Sequence, residues 1–437
     1  MLTSLSAKAS KIEAISGPRA INSDPIPNKG EEFNESVVFP DEATMRSTRQ
    51  ITTKRMFNVK PTYHINAGFA PDNKHIVFAT YNNDESGSAL VRANVETGDC
   101  LVLDDTKPGE ARFGGGGSIA MIPKTNLVAI KIGQEIRLYD IFSGEMELLV
   151  PPPKSKSVLK LSSPIGTIDG KSIVYPLNDT SYSWRTDTHL DPFKQTGVSF
   201  IQVDIKSGKS EIIFRDDDAR SNHVLANPED PDLLIIDRDW PEGFSAVRRE
   251  YQNAHKTRVW VLKISTGELF EIEPENSCKF AWHANWNYTG EYVYYHGPSF
   301  DPTPEEIAKN QRISYKSPYK VNPRQHYIGV AKPNGDRVWE GHFPMLTYGH
   351  CGAHSKENVM IIDNLITDGY LVGVHWEKRN SDNIPFFELM GKHNSHYPSN
   401  TQPSHAHSQM SNDGKWLIYN SMIFDPAHVY AMDMSRK

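Results

Sequence analysis

Near the C-terminus, TQPSHAHSQ sets Gln402, His405 and His407 just ahead of a turn and a strand-forming run, DGKWLIYNS. His405 and His407 are two residues apart, and in extended chain both imidazoles project to one side. Neutral imidazoles with an amide oxygen, and no thiolate, suit a borderline divalent transition metal. An isolated HxH is as readily a chance surface pair, so recurrence has to decide. Histidine stands ahead of a similar unit three more times: His223 in SNHVLANP, His283 in KFAWHANWNY between Trp282 and Trp286, and His350 with His354 in YGHCGAHS. His350 supplies a fourth candidate ligand at the equivalent place one unit upstream.

These histidines need a scaffold that brings separate segments to one point, and the chain has a repeat that does so. FAPDNKHIVFAT (69–80), MIPKTNLVAIKI (121–132), IDGKSIVYPL (168–177), NPEDPDLLIIDR (227–238), NYTGEYVYYHG (287–297), SKENVMIIDN (355–364) and the DGKWLIYNS run are each a polar turn followed by a short apolar β run. Their spacing of roughly 45–70 residues is that of β-propeller blades. A second echo, a strand ending in a glycine-containing turn, follows in five units, with Gly98, Gly144, Gly208, Gly267 and Gly335 supplying the positive φ of a hairpin. The sixth unit shows this echo poorly, and HVYAMDM (428–434) ends the seventh without a turn. The expected fold is therefore all-β: a seven-bladed β-propeller over residues 46–437, with a polar N-terminal extension, 1–45, extended or disordered in part. One blade leaves both faces uncovered, while seven in a ring bury each against a neighbour. An open β-sandwich or a two-domain β protein is the alternative. The clearest helical stretch is PTPEEIAKNQ (302–311).

Composition narrows the class further. The 437 residues are 38% hydrophobic and 23% charged, with a net charge of −7, which argues against a nucleic-acid binder. No apolar run reaches the ~20 residues that span a bilayer. The first residues lack the apolar core of a secretory signal. Cys100, Cys278 and Cys351 form neither a disulfide framework nor a CxxC site and fit a reducing compartment. The expected location is cytoplasmic, or periplasmic where a signal has been removed. GGGG (114–117) lacks the Gly-Lys-Ser/Thr of a phosphate loop, and no GxSxG nucleophile accompanies the repeats.

In this order and spacing the motifs resemble the oligogalacturonate lyases, seven-bladed propeller enzymes that cleave short pectic fragments. The similarity runs from about residue 60 to the end. It is carried by Gln402–His407 with the following strand, His283-Ala284-Asn285-Trp286 with TGEYVYY, Arg258-Val259-Trp260, the His223 region with NPEDPD, and FGGGGSIAMIP (113–123). The resemblance implies a manganese-type site of three histidines and one glutamine: Gln402, His405, His407 and, anchored on VMIID, His350, with His354 the competitor. It places His283 as the base and Arg258 in the active site. Imidazole titrates near working pH, and a guanidinium can clamp a carboxylate. His223, Arg185 in the third-unit loop and Trp286 are the candidate substrate contacts. Each has a plainer reading as a structural hydrogen-bonder, a charged loop tip and a packing residue. Segments 298–325 and 366–400 depart from the family's pattern. The implied activity is β-elimination on an acidic oligosaccharide, giving a 4,5-unsaturated uronate. The same machinery on another uronic-acid glycan, or a non-catalytic glycan- or partner-binding propeller, are the alternatives.

Overall fold

Each turn-and-run unit becomes the second strand of an antiparallel sheet, because its branched and aromatic residues fit a pleated surface while the polar turn reverses the chain from the strand inside it. The computed structural model describes residues 26–53, 63, 68–81, 87–113, 118–151, 160–179, 197–217, 219–238, 257–273, 279, 281–300, 323–343, 349–363, 369–395, 405–421 and 427–435. Every element among them is a strand, and no helix there is long and apolar enough to cross a membrane. The helix expected at 302–311 lies outside the described residues.

Seven sheets result. Blade one comprises His75–Tyr81, Ser88–Asn94 and Cys100–Thr106, with a bridge from Phe69 to Ile76 inside and Glu32–Phe33 at its outer edge. Blade two is Ile119–Met121, Leu127–Ile132, Glu135–Asp140 and Met146–Val150. In blade three, Lys160–Leu161 and Ile165–Gly166 both pair with Ser172–Asn178, followed by Val198–Asp204 and Ser210–Asp216. Blade four is Val224–Ala226, Leu233–Asp237, Val259–Lys263 and Glu268–Glu271; blade five is His283–Trp286, Val293–Phe300, Pro323–Ala331 and Arg337–Phe343. Blade six is His350–Ala353, Met360–Asp363, Tyr370–Arg379 and Pro385–Lys392. Blade seven takes Gln409–Met410, Trp416–Ser421 and His428–Asp433 from the C-terminal side, and Ser47–Gln50 and Val37–Pro40 from the N-terminal side.

The missing turn after HVYAMDM is thereby explained. The strand that would follow it comes from the other end of the chain, with Thr48 opposite Met432 and Gln50 opposite Tyr430. The segment assigned to an extension is thus woven into the ring where it is described, edging blades one and seven. Seven apolar clusters fill the seven interfaces between neighbouring blades. One of them packs Ile418 and Val429 of blade seven on Ile76 and Phe78 of blade one, which closes the circle. The five hairpin glycines adopt φ between 68° and 89°. In blade six the turn residue is Asn383 at φ 64°, an asparagine in the place glycine takes elsewhere, so the echo was faint in the sequence. Cys100 and Cys351 are buried, and the Cys100 thiol donates to the carbonyl of Gly98.

Candidate metal centre and adjoining pocket

The start of the inner strand is where each late blade presents its histidine. His283 and His350 are the first residues of theirs, His223 directly precedes Val224–Ala226, and His405 and His407 precede Gln409–Met410. Opposite each start, on the second strand, stands a polar residue: Asp237 and Asp363 at the strand end in blades four and six, and His296 in mid-strand in blade five.

Asp363 ties blades six and seven together. Fully buried, it accepts the backbone N–H of His350 on Oδ1 at 2.6 Å and that of His407 on Oδ2 at 2.7 Å. Its Oδ1 also lies 3.3 Å from His350 Nδ1. His407 reaches this carboxylate by turning its backbone to φ 46°, a left-handed position that costs an ordinary side chain about 1–2 kcal/mol. The two histidines of HxH therefore converge through a turn rather than by projecting alike from an extended strand. Their ring centroids are 5.4 Å apart, and His350 lies 5.1 Å from His405 and 3.9 Å from His407.

One ligand nitrogen from each of His350, His405 and His407 falls within 4.8 Å of the other two, and all three side chains are buried. His350 Nε2 and His407 Nε2 are 2.9 Å apart. Two ligands about 2.1 Å from one ion are separated by roughly that distance when they meet near a right angle. Two imidazole lone pairs facing each other repel unless a proton or a cation lies between them. The donor set thus fits a divalent metal. Gln402 lies outside the described residues. His354 stands apart, its Nδ1 accepting the N–H groups of Lys356 and Glu357 at a turn.

Beside the three histidines a pocket opens between blades four and five, lined by Tyr63, His223, Asp237, Arg258, Trp282 and His283 among others. His283 packs on His350 at 4.3 Å between centroids, and its Nδ1 is 3.2 Å from Nε2 of His296. Asp237 Oδ2 meets His223 Nδ1 and Arg258 Nη2, each at 2.8 Å, while Oδ1 accepts from Ser221 Oγ and from the N–H groups of Asn222 and His223. Burial alone would raise this carboxyl, but His223, Arg258 and the hydrogen bonds outweigh it and hold it well below the usual range. Arg258 is buried, and its Nη1 donates to the carbonyls of Ala281 and Trp282, so it braces the two residues ahead of His283. His223 lies flat on Tyr63, with centroids 5.3 Å apart and planes 7° from parallel.

Trp286 does not reach the pocket. It is 3% exposed, sits in the cluster between blades four and five, and donates its indole N–H to the carbonyl of Leu225. The strand alternation of HANW points it away from the face that His283 occupies. Its neighbour Trp282 lines the pocket instead. Arg185 lies outside the described residues. Tyr63, Asp237 and His296 belong to the site but were not singled out in the sequence. A polar residue 13 or 14 positions after each inner-strand histidine was the available signal for the last two.

No family model matches the chain, and no curated protein matches it by sequence. The fold does match solved structures. An oligogalacturonate lyase in complex with manganese superposes with a TM-score of 0.68 at 15% identity, covering 93% of this chain and 98% of the other. The oligogalacturonate lyase of Vibrio parahaemolyticus gives 0.68 at 16% identity over 93% and 99%. The hydrazine synthase of Kuenenia stuttgartiensis gives 0.51 at 10% identity over 86% and 97%. At these identities the likeness establishes the architecture, a seven-bladed β-propeller of the kind seen in oligogalacturonate lyases.

Proposed function

We propose that the protein is a carbon–oxygen lyase of short uronate oligosaccharides, with oligogalacturonate its substrate class and manganese its metal. The observation that carries this reading is the convergence of ligand nitrogens of His350, His405 and His407 within 4.8 Å, with the ring of His283 packed at a tilt against His350 at the edge of a pocket that also holds His223, Asp237 and Arg258. The same architecture in an oligogalacturonate lyase that binds manganese supports the choice of substrate and ion.

In the proposed reaction His283 removes the proton on C5 of the uronate. The C–H electron pair becomes the C4–C5 double bond. The C4–O bond breaks, and its electrons leave with the glycosidic oxygen, which then takes up a proton. Held by the three histidines, and by Gln402 as fourth ligand, a divalent cation would neutralise the substrate carboxylate and stabilise the charge developing as C5 loses its proton. Neutral ligands leave the ion's full charge for that purpose. The carboxylate is attached to C5, so a base next to a metal ligand stands beside the proton it must take. Arg258 contributes positive charge to the pocket wall and fixes the segment ahead of His283. His223, held by Asp237 and backed by Tyr63, offers a polar edge to the sugar, and Arg185 is assigned to substrate binding from the third-blade loop.

The test is direct. Digalacturonate, trigalacturonate and oligomers of other uronic acids are incubated with the manganese-loaded protein, and the ultraviolet absorbance of an unsaturated uronate is followed. We expect a rise with galacturonate oligomers that His405→Ala abolishes together with metal binding. A rise only with another uronate corrects the substrate. No rise with any of them, from protein that carries metal, overturns the reading.

A further inference from the structure

Blades four and six repeat one pair of groups: a histidine at the start of the inner strand and an aspartate at the end of the second. Asp237 Oδ2 stands 2.8 Å from His223 Nδ1, and Asp363 Oδ1 stands 3.3 Å from His350 Nδ1. The two histidines differ in what the opposite nitrogen does. His350 turns Nε2 to His407, 2.9 Å away, inside the metal centre. No described group meets Nε2 of His223, whose side chain is 28% exposed and lines the pocket.

The inner half of the blade-four pair is fixed. Asp237 is buried, and its Oδ1 accepts from Ser221 Oγ at 2.6 Å and from the backbone N–H groups of Asn222 and His223 at 3.0 Å each. Arg258 Nη2 shares Oδ2 with His223 at 2.8 Å. Burial works against the ionised form, but His223, Arg258 and the hydrogen bonds hold this carboxyl well below the usual range, so it can only accept. Nδ1 of His223 therefore carries a proton whether the ring is neutral or charged. Nε2 is the atom that gains and gives the second one.

Tyr63 stands between His223 and the metal centre. Its ring lies flat on His223 with centroids 5.3 Å apart, and its centroid is 5.7 Å from that of His350 and 4.5 Å from that of His407. The pocket thus holds two histidines in different settings. His283 packs against the ligand His350, whereas His223 stands off the ligands with a carboxylate behind it. An elimination from a glycoside needs two proton transfers at neighbouring atoms, one off carbon and one onto the leaving oxygen. A donor of the second proton starts as an imidazolium, whose charge an ionised aspartate balances.

We propose that His223 is the general acid of this site: its imidazolium, seated on Asp237 through Nδ1, gives the Nε2 proton to the glycosidic oxygen as the C4–O bond breaks. The electron pair of that bond stays on the oxygen and takes the proton. The ring is left neutral, with Nδ1–H still on Asp237, and solvent water restores the Nε2 proton while the one taken by His283 returns to solvent. The role rests on the lyase reading above; the seating of the ring does not.

Two measurements test it. The first needs neither substrate nor metal. In nitrogen-15 NMR of metal-free, histidine-labelled protein, the His223 ring is assigned by its contacts with Tyr63. It should keep a proton on Nδ1 throughout and lose one only from Nε2 as pH rises. A neutral ring protonated on Nε2 overturns the proposal. The second compares digalacturonate with galacturonate carrying para-nitrophenol in ether linkage at O4, whose nitrophenolate leaves without taking a proton. A positioned acid contributes about 10²–10⁴-fold. In folded, manganese-loaded His223→Gln we expect kcat on digalacturonate to fall about a hundredfold or more, and kcat on the nitrophenyl ether to stay within about threefold of wild type. His283→Gln, which lacks the base, should lose both. Equal loss on the two substrates in His223→Gln, or wild-type kcat on digalacturonate, overturns the acid role. A wild type that eliminates from neither substrate overturns the lyase reading and the acid role with it, while the NMR result still decides the seating of the ring.

Discussion

Replacing Asp363 by asparagine separates the metal centre from the scaffold with one atom changed. The carboxylate offers an oxygen to each of two buried backbone N–H groups, at 2.6 and 2.7 Å, and those groups belong to the two blades that carry the ligands. Asparagine has one oxygen and one NH2, so whichever way the amide turns, an N–H faces one of the two donors. A buried donor left unmet costs about 1–3 kcal/mol, and the lost charge assistance adds to it, giving about 2–4 kcal/mol in all. The outer partners of metal-binding histidines are worth about 10–100-fold in affinity. Asp363→Asn should therefore lower the urea midpoint of the metal-free protein by the equivalent of that energy. It should also weaken manganese binding, followed by calorimetry, by at least tenfold. A variant that loses stability and binds the ion as tightly as wild type would show that the carboxylate braces backbone only. Unchanged stability would refute the hydrogen-bond reasoning altogether.

Three other positions give independent checks. Burial raises Glu273 from its ordinary 4.5 to about 7, with Glu340 adding to the rise and Lys279 and Arg337 opposing it, while Tyr295 and Tyr327 face the same cluster. The folded state thus holds this proton more tightly than the unfolded chain, so stability falls as pH rises from about 4.5 to 7, by up to about 3 kcal/mol, and then levels. Urea midpoints at pH 5 and pH 8 should differ less in Glu273→Gln than in wild type, and parallel curves would count against the assignment. In Gly329→Ala the new methyl would meet the ring of Tyr295, so the unfolding free energy should drop by about 1–3 kcal/mol. Trp286→Phe should lower stability by about 1–2 kcal/mol through lost packing and the lost bond to Leu225, with KM untouched. A changed KM would return Trp286 to the pocket.

The sequence yielded the blade count because each second strand carries its own turn and its own apolar run, both local signals. It yielded the histidines because inner-strand starts recur at one offset from those turns. Pairings across long separations were harder to read. Ser47–Gln50 joining His428–Asp433 leaves no mark in either segment, so residues 32–40 were assigned to an extension although they edge two blades. The partners at the end of the second strand went unread because Asp237 and Asp363 close their apolar runs, where a polar residue usually marks only a strand end. Trp286 was ambiguous for a simpler reason. HxxW puts residues on opposite faces of a strand, and only the neighbouring blade decides which face is core.

The propeller is fastened at one seam. Blade seven is stitched from the two distant ends of the described chain, and the same blade supplies His405 and His407 while its neighbour supplies His350. An ion held there would clip together two sectors beside that seam. With an ion bound, fraying of the terminal strands and loss of the ion would be coupled: whatever tugs the ends apart would loosen the ligands, and whatever strips the ligands would weaken the clasp.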